Sequence, residues 1–241
     1  MAIEHHIYRN GHVAYTIPYT NKTGIKFSLK ANSRLVQKRA SQLYEREPLT
    51  IEWITSFDKG SVFVDVGANI GSYSLLAAKT RKTTTYAFEP HPLNFAELCT
   101  NIYLNNLKNI TPYPIALTDS SKFDTFNISQ MIPGAADNSF AENSRLGESI
   151  SLGCYGTKLD NLFIEGVIEQ PDYIKIDVDG AELNVLYGAS IVLQNAKEVQ
   201  VELRKKNADQ AEEFLGKLGY SIDYDASYRL NEYEINYVFK R

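Results

Sequence analysis

Along the chain the apolar positions keep two periods, and the switches between them predict the order of elements. Residues 13–17 and 25–29 alternate in period two around the turn-forming run Asn21-Lys22-Thr23-Gly24, which reads as a β-hairpin. From Ser33 to Phe57 the spacing becomes helical, with Leu49, Ile51, Trp53, Ile54 and Phe57 on one face and Pro48 in a first helical turn. Residues 62–66, Val-Phe-Val-Asp-Val, then read as a buried strand. Gly67 and Gly71 follow, and Leu75 to Ala78 continue as a helix. Strand, tight turn and helix in that order open a nucleotide-binding unit.

Residues 83–88 form a second strand ending in Glu89, and Phe95, Leu98, Cys99, Ile102 and Leu104 supply the crossover helix over 94–105. Residues 110–117 are a third strand, whose two prolines suit a sheet edge. A short helix starts at 157–162, and 173–177 is a fourth, central strand with its helix at 181–193. A fifth strand at 197–203, a helix at 208–218 and an antiparallel pair at 220–224 and 235–239 close the chain. Together these predict an α/β, Rossmann-like fold: seven mostly parallel strands, helices on both faces, and an N-terminal hairpin and helical extension. Within 120–156, the run 129–139 is small, polar and long for a connection. It reads either as an acceptor-side lid or as a variable loop.

Composition narrows the function classes. The 241 residues suit one α/β domain with an appendage, and an apolar fraction of 44% is ample for its core. A net charge of −4 offers no general attraction to phosphate backbones, so no nucleic-acid partner is expected. Cys99 and Cys154 belong to no metal or disulfide pattern and read as core residues. His5, His6 and His12 read as exposed histidines in preference to a metal site. No apolar run approaches the ~18 residues of a membrane span, and the first six residues lack a signal-peptide plan, so a cytoplasmic protein is expected.

The candidate chemistry begins at the glycine turn. Glu89 follows Gly67 by 22 residues, close to the ~20-residue interval that sets a carboxylate on ribose hydroxyls. Asn69 stands where a dinucleotide fingerprint needs its second glycine, which argues against NAD and for a ribosyl ligand without phosphates, S-adenosylmethionine (SAM) above all. Asp177 ends an otherwise apolar strand, where ligands sit in open α/β sheets. Asp179 lies nearer the following helix and suits its N-cap, so Asp177 is the expected residue at the reaction centre. Lys175 is placed to pair with Asp177 or Glu202, or to stand solvated beside the sheet.

Asp65-Val66-Gly67-Ala68-Asn69-Ile70-Gly71, then Phe88-Glu89-Pro90-His91-Pro92, then Ile174-Lys175-Ile176-Asp177-Val178-Asp179-Gly180-Ala181-Glu182 resemble the successive signatures of FkbM-type SAM-dependent methyltransferases. The resemblance spans about residues 45–205 and does not reach the first forty. It implies a methyltransferase domain at 45–241 with an extension at 1–44 and a β-rich, lid-like insertion at about 120–156. It places SAM on Asp65, Gly67, Ala68, Asn69 and Gly71, with Glu89 and Pro90 at the ribose and Ala116 and Leu117 beside adenine. Asp177, Lys175 and Glu182 would serve the chemistry, with Glu202 a further acidic position of the family.

Methyl transfer is an in-line displacement that requires no metal, and a hydroxyl acceptor adds the need for a base. Asp177 is the first choice. His91 reads as an acceptor-side base or as a surface turn histidine, and exchange of Asp177 for Asn is expected to change folding little. The resulting expectation is O-methylation of a small molecule or a sugar. An RNA or protein methyltransferase on the same fold, and a SAM-binding module without turnover, are the alternatives.

Overall fold

The computed structural model describes residues 4–7, 13–20, 26–30, 33–41, 43–136, 138–140 and 150–241. Its N-terminal part is a three-stranded antiparallel sheet, β1 (Glu4–Ile7), β2 (Val13–Thr20) and β3 (Lys26–Lys30), one strand more than the expected hairpin. The turn at 21–24 and His12 lie outside the described residues. The helical stretch that follows is three helices, α1 (Arg34–Ser41), α2 (Leu43–Arg46) and α3 (Pro48–Ser56). Proline cannot donate an amide hydrogen, so Pro48 begins α3 instead of extending α2.

The nucleotide-binding unit follows as β4 (Val62–Val66), α4 (Ser72–Thr80), β5 (Thr84–Phe88), α5 (Pro92–Leu104) and β6 (Ile110–Tyr113). A second group comprises β7 (Ala116–Leu117), β8 (Lys122–Ile128), β9 (Ser139–Phe140) and β10 (Ile150–Thr157). The chain then returns through α6 (Leu159–Ile164), β11 (Tyr173–Ile176), α7 (Glu182–Tyr187), β12 (Glu198–Arg204), α8 (Lys205–Lys217), β13 (Ser221–Arg229) and β14 (Glu234–Lys240).

Seven of these strands form one sheet in the order β13-β14-β12-β11-β4-β5-β6. β4, β5, β6, β11 and β12 run parallel, and β14 and β13 close the sheet antiparallel. From β4 the chain winds outward to β6 on one side, and from β11 to β12 on the other. The switch point between β4 and β11 is where a doubly wound sheet opens a crevice for ligands. This is the expected α/β, Rossmann-like fold.

Each face of the sheet carries its own core. Val66, Ile176 and Val201 pack with Leu186, Leu193 and Leu215 on one side. Phe63, Ala87 and Val238 pack with Ile54, Leu76 and Leu98 on the other. The second core also takes Phe27 and Leu29 of β3 and Leu43 of α2. Backbone N–H groups of Ser28 and Lys30 donate to the side-chain oxygens of Asn105 and Asn101 at 2.8 and 2.7 Å. Phe57 stacks on Tyr173 at 3.9 Å with Trp53 edge-on at 4.7 Å, and Trp53 Nε1 donates to Glu198 Oε2 at 2.7 Å.

Three elements depart from the pattern reading. The third strand stops at Tyr113, and β7 crosses to the smaller sheet to pair in parallel with β10. Pro114 lies between them and cannot donate to a ladder. The helix expected over 181–193 breaks after Tyr187, and a single 3-10 turn follows at Val192–Gln194. Asp160 accepts hydrogen bonds from the N–H groups of Ile191 and Val192 and so starts that turn. Around the run 129–136, which is irregular, the described residues from 120 carry the strands of a β-rich insertion: β8, β9 and β10 join β7 in a four-stranded sheet.

Gly67, just past β4, is the most tightly enclosed of the described glycines. Its φ is +81°, and a Cβ there would lie 1.8 Å from the Asp177 carbonyl oxygen. Gly67→Ala is therefore expected to cost on the order of 2–4 kcal/mol, through both backbone strain and forced separation of β4 from β11. Chemical denaturation of the variant measures this, and Gly60→Ala, where φ is also +81° and nothing lies within 4 Å, isolates the strain.

Candidate active site

At the carboxyl ends of β4, β5, β11 and β12 lies a cleft of about 250 Å³. Its floor is the turn after β4. Gly67 N–H and Ala68 N–H both donate to Phe88 O at 3.0 Å, which draws the turn over the end of β5. Asn69 is then left-handed, φ 51°, and its N–H reaches Glu89 Oε2 at 2.7 Å. The other carboxylate oxygen accepts from His91 N–H at 2.8 Å. Burial pushes the Glu89 carboxyl up to about 7, against hydrogen bonds from these two N–H groups and from the Asn94 side chain that favour its charge.

Next to the cleft is a smaller apolar slot of about 40 Å³, walled by Phe88, Ile115, Ala116, Leu117, Phe140 and Val178. Gly67, Pro90, Phe126, Asn138 and Val178 line both spaces. A flat apolar group in the slot would thus lie beside a carboxylate at the strand tip.

At the far end of the cleft Lys175 and Asp177 form an ion pair, Nζ to Oδ2 2.7 Å, with the ammonium 4.9 Å from the Tyr73 ring centroid. The Lys175 side chain is almost fully buried, and that of Asp177 is a quarter exposed. Burial lowers the Lys175 pKa, but Asp177, Glu47 and Asp65 outweigh it and hold the ammonium above the ordinary lysine range. Burial likewise opposes ionisation of Asp177, and Lys175, Arg39 and Arg46 overcome it, leaving Asp177 below the usual carboxylate range. Val201 pairs with Ile176, so Glu202 is the neighbour of Asp177 on the next strand. Burial, and then Asp177, push the Glu202 carboxyl up to about 9. The two adjacent carboxyls are thereby pushed in opposite directions, Asp177 down and Glu202 up.

The expected site residues separate into two groups. Gly67, Ala68, Asn69, Glu89, Pro90, Lys175 and Asp177 line the cleft, and Ala116 and Leu117 line the slot. Asp65, Gly71 and Glu182 do not stand on the wall of either. Asp65 is buried behind the turn, where Oδ2 accepts from Ser74 Oγ at 2.5 Å. Gly71 faces Leu98, whose Cδ1 lies 2.4 Å from the position of a Cβ, so its role is close packing of α4 on α5. Glu182 turns back to accept from Gly180 N–H at 2.7 Å and braces the loop before α7.

Two further expectations change. Asp179 does not cap α7, whose N-cap position is Ala181. It is left-handed at φ 57°, and its carboxylate accepts from Asn138 N–H at 3.2 Å. His91 is neither an acceptor-side base nor a surface residue. It is fully buried and caps α5, with Nδ1 accepting from Leu93 and Asn94 N–H and Nε2 3.2 Å from Gln130 O. Burial lowers its pKa, which suits a neutral ring with its proton on Nε2.

Arg39, Arg46, Glu47 and Glu234 also stand on the wall and carried no motif. Above the turn runs a strap, 129–136, fixed at many points. Ala135 O accepts from both Asn69 Nδ2 and Asn94 Nδ2 at 3.0 Å, and Gly134 N–H donates to Asn94 Oδ1 at 2.7 Å. Arg39 Nε donates to Gly134 O at 2.6 Å. Among the described residues, no group of three or more His, Cys, Asp or Glu is arranged to hold a metal, and no helix is long and apolar enough to cross a membrane. Cys99 is half-buried, and Cys154 is a buried free thiol in the small sheet's core.

Over 146 residues the chain is 30% identical to the hexuronic acid methyltransferase AglP of Haloferax volcanii, covering 61% of this chain and 57% of that one. It is 24% identical over 151 residues to Methyltransferase 1 of Beauveria bassiana, covering 56% and 61%. The chain thus spans less than two thirds of the length of these curated relatives. Among solved structures, the methyltransferase FkbM of Methylobacillus flagellatus superposes with a TM-score of 0.57 at 15% identity, covering 88% of this chain and 56% of that one. Magnesium protoporphyrin IX methyltransferase of Synechocystis, solved with bound SAM, gives 0.51 at 14% identity, covering 88% and 85%. Both show the shared fold. Residues 65–222 match the family described as the methyltransferase FkbM domain, and the chain belongs to that family.

Proposed function

We propose that this protein is a SAM-dependent O-methyltransferase whose acceptor is a sugar bearing a carboxylate. The observation that carries the reading is continuity: an apolar slot, a strand-tip carboxylate and a charged pair share one crevice at the switch point. The residues fit the cofactor. Ala116 and Leu117 would flank adenine, and Glu89, already oriented by two N–H donors, would hold the ribose hydroxyls. Gly67 and Ala68 leave the floor without bulky side chains, and the carboxylates of the wall suit a cationic sulfonium. Bound there, SAM supplies an electrophilic methyl carbon for displacement by an acceptor oxygen.

What the protein adds is position and charge. Asp177 remains ionised beside Lys175 and accepts the proton of an acceptor hydroxyl. Lys175 fixes the direction of that carboxylate, since its own ammonium is buried and cannot swing away. Arg39 and Arg46 are the wall's guanidinium groups, and planar forks of this kind match carboxylates. The activity of AglP on hexuronic acid supports the same acceptor class. The reading takes 45–241 as the methyltransferase domain, 1–44 as its extension and 120–156 as the insertion over the cleft, supported by the strap's bonds to Asn69, Asn94 and Arg39.

Calorimetry should show binding of SAM and S-adenosylhomocysteine and none of NAD. Because the Glu89 carboxyl titrates near 7 and must be charged to accept from two hydroxyls, SAM affinity should rise about tenfold between pH 6 and pH 8. Glu89→Gln should remove that dependence and cost on the order of 2–3 kcal/mol. NAD binding without SAM binding would overturn the proposal.

Asp177→Asn should lower single-turnover rates by ~10²–10⁴. Where the sequence reading expects little effect on folding, the ion pair changes the expectation: the variant should also lose about 3 kcal/mol of stability, since buried Lys175 loses its partner. A near-wild-type rate removes Asp177 from the mechanism. With uronic acid glycosides as acceptors, Arg46→Gln should raise KM about tenfold and leave neutral sugars unaffected; equal effects on both would place the carboxylate elsewhere.

A further inference from the structure

SAM carries an anion of its own, the carboxylate of its amino-acid end, and the cleft must receive it. The glycine turn has no amide to offer. Gly67 and Ala68 N–H go to Phe88 O, Asn69 N–H to Glu89, Ile70 N–H to the Asn69 side chain at 3.0 Å and Gly71 N–H to Ala68 O at 2.8 Å. The Asn69 amide nitrogen is committed to Ala135 O. The wall of the cleft holds three cations that could take the anion, Arg39, Arg46 and Lys175.

Two of them already stand with acids. Lys175 is paired with Asp177 at 2.7 Å, and Arg46 Nε lies 3.8 Å from Glu47 Oε1. Arg39 differs. It is half-buried, and among the described residues it forms no ion pair; its Nε donates to a backbone carbonyl, Gly134 O, at 2.6 Å. Asp177 and Asp179 face it only at longer range. A desolvated guanidinium without a carboxylate is costly unless a ligand supplies one.

The strap aims this guanidinium. Ser33 Oγ donates to Pro133 O at 3.3 Å, and a Cβ on Gly134 would stand 3.5 Å from Arg39 Cδ, so the strap lies along α1. Asn94, 1% exposed, clamps the same strap through Gly134 N–H and Ala135 O. Ala135 O also takes Asn69 Nδ2, and Asn69 N–H holds Glu89. The strap backbone thus ties Arg39 to the turn that orients the ribose carboxylate. With Nε bound to Gly134, the two terminal nitrogens form the edge that remains for a ligand, and such a fork matches a carboxylate.

We propose that Arg39 binds the amino-acid carboxylate of SAM, which makes the N-terminal segment part of the cofactor site and leaves Arg46 to the acceptor. This rests on the reading of the cleft as the SAM site.

Decarboxylated SAM lacks only the group in question, so two ligands and two proteins make a cycle of binding measurements that needs no turnover. By calorimetry the wild type should prefer SAM to decarboxylated SAM by ~30-fold, as for a charge-assisted bidentate pair. In Arg39→Gln the preference should shrink to about threefold, with decarboxylated SAM bound as tightly as by the wild type. Should that variant not fold, Arg39→Lys decides: it keeps the charge without the fork or the Nε bond, and the preference should fall by about threefold or more. A preference that substitution of Arg39 leaves unchanged overturns the proposal and assigns the carboxylate to the first amides of α4. Equal weakening of both ligands overturns it too, since Arg39 would then act only through the strap. So does a wild type that binds both ligands alike. A wild type that binds neither is a distinct result, which overturns the reading of the cofactor and this proposal with it.

Discussion

Gly67 crosses the end of β11 so closely that the Asp177 carbonyl oxygen fills the space a side chain would take. The crossing sets the geometry of everything above it. With the two strands in contact, Gly67 and Ala68 can both donate to Phe88 O, and Asn69 is turned so that its N–H meets Glu89. The floor of the cleft, the strand-tip carboxylate and the base of Asp177 are in this way parts of one rigid corner. A looser turn would free Glu89 from a donor and widen the gap between β4 and β11 together.

Electrostatics at this corner divides the carboxyl groups by their partners. Glu89 has backbone N–H groups and no cation, and burial raises it towards neutrality. Glu202 stands beside Asp177 on the sheet and, through burial and then that charge, rises further. Asp177 has Lys175 at 2.7 Å and stays ionised. Groups with the same intrinsic chemistry thus reach different charge states within one crevice, the arrangement expected where a proton is to be moved.

The strap and the N-terminal segment bring distant parts of the chain to this corner. Gly134 and Ala135 are bonded by Asn69 from the glycine turn, Asn94 from α5 and Arg39 from α1. Arg39 therefore touches the strap and faces Asp177 at once. Phe27, Leu29 and Leu43 join the core under α4 and α5, which anchors the helices that deliver Arg39, Arg46 and Glu47.

The sequence by itself determined the seven-stranded sheet, the glycine turn and the strand-tip acids, because each depends on local periodicity or on residues close in the chain. Gly67, Glu89 and Asp177 announced themselves as breaks in apolar strands. The tertiary structure alone decided which acids face the cleft: Glu182 and Asp65 carry the same carboxylate as Asp177 but are turned onto Gly180 and Ser74. It also moved β7 out of the main sheet, made His91 a helix cap and gave Asp179 to Asn138. Arg39 and Glu47 reach the site through contacts 95 and 181 residues apart in the chain, and no pattern along a chain records such contacts. Strand position is a local property, but the direction of a polar side chain is set by whichever partner the fold brings within about 3 Å, and that partner is seldom a neighbour in sequence.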